Sequence, residues 1–244
     1  MMNIFIFCIG ILLFVTALNA QENFEVDTIA VSDGDLAITF IGHGTLMFSF
    51  DGKIIHVDPW SKFADYSKLP KADIILVTHE HSDHLDPGAI EKIRTGDTSI
   101  VHSASCSDKV KGGTVMKNGD KRTVQGLEID AVPAYNIKHK RPNGSPFHPE
   151  GVGNGYIIKF GDKRVYVAGD TENTTEMKAL RNIDIAFLPM NLPYTMMPEM
   201  VADAALAFRP SILYPYHFGD TDTSKITALL KDEKDIEVRI RNMK

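Results

Sequence analysis

The densest chemistry in the chain is the hexapeptide His79-Glu80-His81-Ser82-Asp83-His84. Imidazole nitrogens and carboxylate oxygens are the donors that suit zinc and its first-row neighbours. Three of the chain's nine histidines fall in this one hexapeptide, a concentration that a polar loop with incidental histidines would not produce. In an extended segment, residues two apart point the same way. His79 and His81 can therefore aim two imidazoles at one point. If the chain then turns, Asp83 and His84 face a second point beside it. The chemistry this suits is hydrolysis by a metal-bound hydroxide, because a bound cation lowers the pKa of water to roughly 7.

Such a hexapeptide needs a stiff element before it and a turn after it. Residues 73–78, Asp-Ile-Ile-Leu-Val-Thr, form a continuous apolar run of the kind found in a strand buried on both faces. Asp86-Pro87 reads as the N-cap and first residue of a short helix ending near Ile93. Further strands are expected over 36–41, 46–50, 53–57, 99–102, 127–133, 156–160, 164–167, 183–188 and 212–216. Asp51-Gly52 marks a tight hairpin between the second and third of the early strands. Helices are expected over 175–181, 198–208 and 223–230.

The chain also repeats itself. The segment ending in His56-Val-Asp58 resembles the one ending in Val167-Ala-Gly-Asp170, Asp73-Ile-Ile resembles Asp184-Ile-Ala, and Ser99-Ile-Val resembles Ser211-Ile-Leu. Three matches in order at a nearly constant offset point to two β-rich halves related by internal duplication. Each half would supply a sheet covered by helices, which makes an α/β four-layer αββα sandwich. The chemistry should gather at the carboxyl ends of the apolar strands.

With 244 residues, 43% of them hydrophobic, the chain can bury one sizeable core as one domain. A net charge of −6 lacks the basic footprint of a nucleic-acid binder. Residues 4–18 are apolar apart from Thr16 and run into Ala17-Leu-Asn-Ala20-Gln21. That run is short of the roughly 20 residues of a bilayer span. It reads as a signal peptide over 1–20, cleaved after Ala20 and exporting the protein to the periplasm or beyond; an uncleaved leader would leave it membrane-anchored. Residues 21–35 read as an N-terminal extension and 36–244 as the hydrolase domain, with no stable membrane span once the leader is gone. Cys106 is then the only cysteine, so no internal disulfide can form, and a structural thiol is favoured over a nucleophile.

His79-x-His81-x-Asp83-His84 after a buried strand resembles the signature of the metallo-β-lactamase superfamily. The likeness runs from about Leu36 to His217 and includes Asp58, Ala168-Gly-Asp170-Thr and Tyr216-His217. It implies two divalent ions, zinc first, with manganese or iron as alternatives. It further implies that Asp170 bridges the two, that His217 completes the second site, and that Asp58 supports the ligands from behind. A carboxylate between two dications offsets their repulsion, and metals roughly 3.5–4 Å apart can share a hydroxide. Thr39-Phe-Ile-Gly-His43-Gly-Thr45 and Leu188-Pro-Met-Asn-Leu-Pro-Tyr194-Thr-Met resemble the subgroup that includes L-ascorbate-6-phosphate lactonase and N-acyl phosphatidylethanolamine phospholipase D. The resemblance implies an ester, lactone or phosphodiester substrate. True β-lactamases usually lack a histidine at His84, and flavodiiron proteins carry a carboxylate where His81 stands.

One position departs from the family. A third histidine for the first metal is due after the strand ending near Pro133, and Asn136 stands there instead. An asparagine amide oxygen is a poor zinc ligand. The third ligand falls to Asn136, His139 or His148, with His148 preferred because Pro146 and Pro149 would stiffen its presentation. The departure also raises a second reading, a metal-binding protein of the same fold with impaired catalysis.

Two residues are candidates for direct catalytic roles: Asp83, and His43, whose glycine-flanked turn would let it protonate a leaving group or bind an anion. Tyr194 either lines the cleft or packs. Lys138, Lys140 and Arg141 either draw in an anionic small-molecule substrate or are simply solvated. His56 and His102 are assigned no role.

Overall fold

The structure, a computed structural model, describes residues 24–244. The leader expected over 1–20 lies outside the described residues. Two seven-stranded mixed sheets account for most of the chain. The first runs in sequence order through β1 (Glu25–Val31), β2 (Gly34–Gly42), β3 (Thr45–Phe50), β4 (Lys53–Val57), β5 (Ile74–Val77), β6 (Ser99–His102) and β7 (Thr114–Val115). Helix α1 (Pro87–Ile93) joins β5 to β6. The second sheet runs through β8 (Lys121–Val124), β9 (Leu127–Ala134), β10 (Gly153–Phe160), β11 (Lys163–Val167), β12 (Ile185–Pro189), β13 (Ile212–Tyr216) and β14 (Glu237–Val238). Helices α2 (Thr175–Lys178), α3 (Pro198–Phe208) and α4 (Ser224–Leu229) fill its parallel crossovers.

The two sheets share one plan. In each, the first three neighbouring pairs are antiparallel and the last three are parallel. The likeness reaches single hydrogen bonds. The Asp73 carboxylate accepts the backbone N–H of Ile54 at 2.8 Å, and the Asp184 carboxylate accepts that of Arg164 at 2.9 Å. Each aspartate starts its parallel strand and pins it to the preceding hairpin. The duplication read from the sequence is thus a duplication of structure, and the architecture is the αββα sandwich.

The layers follow from the apolar patterns. All four residues of β5 are buried: Ile74 and Leu76 join the core between the sheets, while Ile75 and Val77 join Ala89, Ile90 and Ile93 under α1. A strand covered on both faces needs this unbroken run. Across the sandwich Phe48 meets Phe160 at 5.4 Å and Phe40 meets Tyr214 at 5.0 Å between ring centroids. Asp86 caps α1 by accepting from the N–H groups of Gly88 and Ala89, with Pro87 as the first helical residue.

Some boundaries differ from expectation. Residues 25–31, within the stretch read as an N-terminal extension ahead of a domain beginning at 36, form β1, paired with β2 from Glu25↔Phe40 to Val31↔Gly34. Its residues are only exposed or half-buried, and its inward side mixes Asp27 with Ile29 and Val31, so no full apolar alternation marks it. Strand β8 is polar and exposed, and β7 and β14 have two residues each, too short for any period to show. Helix α2 stops at Lys178 rather than 181. Among the described residues no helix is long and apolar enough to cross a membrane.

Candidate metal centre

The centre lies where the carboxyl ends of the parallel strands of both sheets meet. Past β5 the chain carries His79 and His81, then turns at once: the N–H groups of His84 and Leu85 both bond to the His81 carbonyl, at 3.0 and 2.8 Å. From the second sheet, the segment past β11 supplies Asp170 and the segment past β13 supplies His217. Two glycines permit the close approach. A Cβ on Gly169, which has φ +66°, would lie 2.9 Å from the Asn154 carbonyl oxygen and 3.1 Å from Thr78 Cβ. A Cβ on Gly44 would lie 2.8 Å from His84 Cε1.

Two groups of side chains face each other across Asp170. The first is His79, His81, His148 and Asp170, and the second is His43, Asp83, His84 and His217. In the first group, His81 Nδ1 lies 3.1 Å from His79 Nε2 and 3.2 Å from His148 Nε2. Asp170 Oδ2 lies 3.2 Å from His148 Nε2 and 3.9 Å from His79 Nε2. The other Asp170 oxygen, Oδ1, turns to the second group, 3.4 Å from His84 Nε2 and 3.5 Å from His217 Nε2. Asp83 Oδ2 lies 3.6 Å from His217 Nε2 and 3.9 Å from His84 Nε2. Ligand atoms on a tetrahedral zinc with bonds of about 2.0–2.1 Å sit roughly 3.3 Å apart. The separations in both groups, 3.1–3.9 Å, lie around that value.

The hydrogen bonds behind these rings decide which nitrogens are bare. Asp58 is fully buried and accepts from the Thr78 N–H at 2.8 Å and from the Thr78 hydroxyl at 2.7 Å. With its proton spent there, the hydroxyl can only accept from His79 Nδ1, 2.9 Å away. His79 therefore holds its proton on Nδ1 and presents a bare Nε2. Asp58 also accepts from His84 Nδ1 at 2.8 Å, which aims His84 Nε2 inward. The Asn136 amide oxygen accepts from both the backbone N–H and the Nδ1 of His148, each at 2.8 Å, so His148 also presents Nε2. Among the described residues, buried His84 Nε2, His217 Nε2 and Asp170 Oδ1 have no hydrogen-bond partner. Buried polar atoms left this way are costly, and a cation between them would satisfy them all. The residues fit divalent metal ions.

Electrostatics agree. Burial opposes the charge on Asp170, but His217, His84 and His148 hold its carboxyl well below the usual range. Burial likewise opposes Asp83, and His217, His43 and His84 hold it low. Burial pushes His79 and His81 down, toward the neutral form that binds metal. His84 is opposed by burial, yet Asp170 and Asp58 raise it well above its ordinary value. A cation entering beside it displaces that proton.

The structure brings together His79, His81, Asp83, His84, Asp170, His217 and His148. His139 stands apart, its Nδ1 2.7 Å from Glu172 Oε1. Asn136 points its oxygen at the back of His148 and donates from Nδ2 to Glu172 at 3.1 Å and to the Tyr194 carbonyl at 2.9 Å. His43 sits on the second group, Nε2 3.2 Å from Asp83 Oδ2 and its ring 3.7 Å from that of His217. Burial lowers its pKa. A cleft of about 430 Å³ opens over the centre, and Trp60, Arg141, Phe147, Asn191 and Tyr194 line it. Burial pushes the Cys106 thiol up to about 11, which leaves it protonated and inert at neutral pH.

Two contributors escaped sequence reading. Fully buried Glu172 accepts the backbone N–H groups of Ile137, Lys138 and His139 and so fixes the start of the loop that carries His148. Trp60 walls the cleft beside His43, 5.2 Å between rings. Both lie two residues past the paired aspartates Asp58 and Asp170, a place the internal repeat marks.

Residues 37–217 match the model of the β-lactamase superfamily domain. The chain is 30% identical over 195 residues to a UPF0173 metal-dependent hydrolase of Methanopyrus kandleri, covering 75% of this chain and 84% of that protein. A UPF0173 metal-dependent hydrolase of Symbiobacterium thermophilum is 31% identical over 222 residues, covering 84% and 92%. Among solved structures, one described as a metal-dependent hydrolase from Parabacteroides distasonis is 50% identical. Its TM-score is 0.87, covering 91% of this chain and all of that one. Igni18, a metallo hydrolase from Ignicoccus hospitalis, is 25% identical with a TM-score of 0.69, covering 84% and 94%. The paired histidine–aspartate groups thus sit in a chain that matches metal-dependent hydrolases along most of its length, and this protein belongs to the metallo-β-lactamase superfamily, among the UPF0173 metal-dependent hydrolases.

Proposed function

We propose that the chain binds two divalent cations, one held by His79, His81, His148 and Asp170, the other by Asp83, His84, His217 and Asp170, and that it hydrolyses an ester, lactone or phosphodiester bond in a small molecule. The observation that carries this is Asp170: each of its oxygens faces a separate group of inward-turned imidazole nitrogens. The mixed imidazole and carboxylate donors suit zinc first, with manganese or iron as alternatives. When bound, two such cations polarise the bond under attack and activate a water at neutral pH.

The protein's own groups do the rest. Asp58 and Thr78 lock the ring orientations of His79 and His84, and Asn136 locks that of His148. His43, favoured neutral by burial, stands beside Asp83 at the rim of the cleft, where it can take up the proton released by the attacking water and pass it to the departing group. Trp60, Phe147 and Tyr194 wall the substrate from bulk water. The resemblance of the His43 and Tyr194 segments to the lactonase and phospholipase subgroup supports the choice of substrate bond. Asn136 was the reason for the alternative of an impaired metal-binding protein; its contact with His148 is an argument for an intact centre.

Assays on ester, lactone and phosphodiester panels test the reading, with metal-stripped protein as control. Turnover that disappears on stripping and returns with zinc is expected. Panel-wide inactivity of the fully metal-loaded protein would count against it. On the apolar run 4–18 and Ala20, we also propose that residues 1–20 direct export and are removed.

A further inference from the structure

The cleft has an asymmetry that the metal ligands do not explain. Among the described residues that line it, Arg141 is the only arginine or lysine. It stands on the loop between β9 and β10, a few residues before His148, where Lys140 and Pro146 form an isolated antiparallel bridge. The Arg141 N–H bonds to the Ser145 carbonyl at 2.8 Å, and the Gly144 N–H returns to the Arg141 carbonyl at 2.9 Å. The backbone of this tip is thus closed on itself.

The guanidinium is also held. Its carbon lies 5.0 Å from the centre of the Phe147 ring, and Nη2 donates to the Phe147 carbonyl at 3.3 Å. Phe147 in turn meets Tyr194 edge to face at 5.1 Å. Among the described residues Arg141 forms no ion pair, as is also true of Arg122 and Arg181, whereas Arg94, Arg164, Arg209, Arg239 and Arg241 each pair with a carboxylate. Among the described residues its side chain makes only the Nη2 bond, leaving Nε and Nη1 unbonded. Arg141 is exposed, and a guanidinium set against an aromatic ring with N–H groups free is suited to receive an oxyanion, which it grips with paired N–H groups.

We propose that Arg141 forms an oxyanion subsite in the cleft, so that the substrate carries a carboxylate or phosphate group in addition to the bond that is cut. The subsite rests on the hydrolase reading above, because it places the anion opposite the group that the metals engage. Phe147 and Tyr194 then flank the segment between the two ends of the substrate. The aromatic contact sets where the cation stands, and its neighbour His148 ties that position to the first metal group. Exposed Lys138 and Lys140 on the same loop add positive potential at the entrance.

The test is binding to metal-loaded protein of a series of α,ω-dicarboxylates, malonate to adipate, and of the matching phosphonocarboxylates. Each is compared with the monocarboxylate of equal length. One end of each probe takes the metals and the other is free to reach Arg141. The best two-headed probe should bind about tenfold tighter or more than its monocarboxylate. Which series wins tells carboxylate from phosphate. Arg141→Ala should remove that advantage without changing metal content or monocarboxylate affinity, and Arg141→Lys should restore part of it. Equal affinity of one-headed and two-headed probes in the wild-type protein would overturn the subsite, and so would an advantage that survives in Arg141→Ala. Metal content measured on the same samples separates these results from failure of the metal centre itself, which would show as protein that holds no metal.

Discussion

At the scale of single residues, the account turns on the histidine that the family places where Asn136 stands. His148 reaches the first group with Nε2 bare because Asn136 accepts from its Nδ1 and its backbone N–H. His148→Ala should therefore abolish tight binding of one cation, while His139→Ala changes little, since His139 faces Glu172. Asn136→Ala should weaken the same site by about 10- to 100-fold, the usual cost of losing a partner that orients a ligand. Metal titration of the three variants decides this. If His148→Ala binds both cations as tightly as the wild type, the ligand assignment is wrong. The hexapeptide was legible because its spacing and its strand encode convergence locally. His148 was harder, since twelve residues separate it from Asn136 and only the fold brings them together. Glu172 was illegible as a hub, because three of its partners are backbone N–H groups that any sequence would supply.

At the scale of elements, the apolar strands and α1 announced themselves through burial on both faces and through the Asp86-Pro87 start. Strand β1 did not, because its inward side is only partly apolar: Ile29 and Val31 pack against the core, but Asp27 beside them is held by charge. Asp27 on β1 accepts from Arg241 Nη2 with both oxygens at 2.7 Å, and Arg239 and the Tyr214 hydroxyl also reach it. This clasp ties the edge of the first sheet to β13 and to the tail after β14. Asp27→Ala should destabilise the fold by about 1–3 kcal/mol, because it strips a half-buried arginine of its carboxylate. Burial opposes the Asp27 charge, but Tyr214, Arg241 and Arg239 hold its pKa below the usual carboxylate value. A depressed folded pKa contributes stability above the unfolded value, and that contribution fades as pH falls through the folded value. The gap between wild type and variant should therefore narrow in acid. Denaturant melts at neutral and acid pH measure it, and a gap that widened on acidification would contradict the clasp.

At the scale of the whole molecule, two copies of one sheet plan meet along an edge, and the repeat in the sequence was enough to anticipate both the sandwich and the place where its chemistry gathers. The cleft walls were only partly legible: Tyr194 and Arg141 stood out as candidates, but Trp60, Tyr194 and the loop that carries both Arg141 and Phe147 come from distant parts of the chain with no shared pattern. The proposed export belongs to this scale as well. Mass spectrometry of the native protein should find a chain beginning at or near Gln21, and soluble protein retaining Met1 would remove the leader from the account. The central claim is that Asp170 joins two cation sites in one centre. The most direct measurement is elemental analysis of protein purified without chelators and reconstituted with zinc, with Asp170→Ala beside it. Close to two metal ions per chain are expected in the wild type and clearly fewer in the variant. A wild-type value near zero after reconstitution, or a variant that keeps both ions, would contradict it.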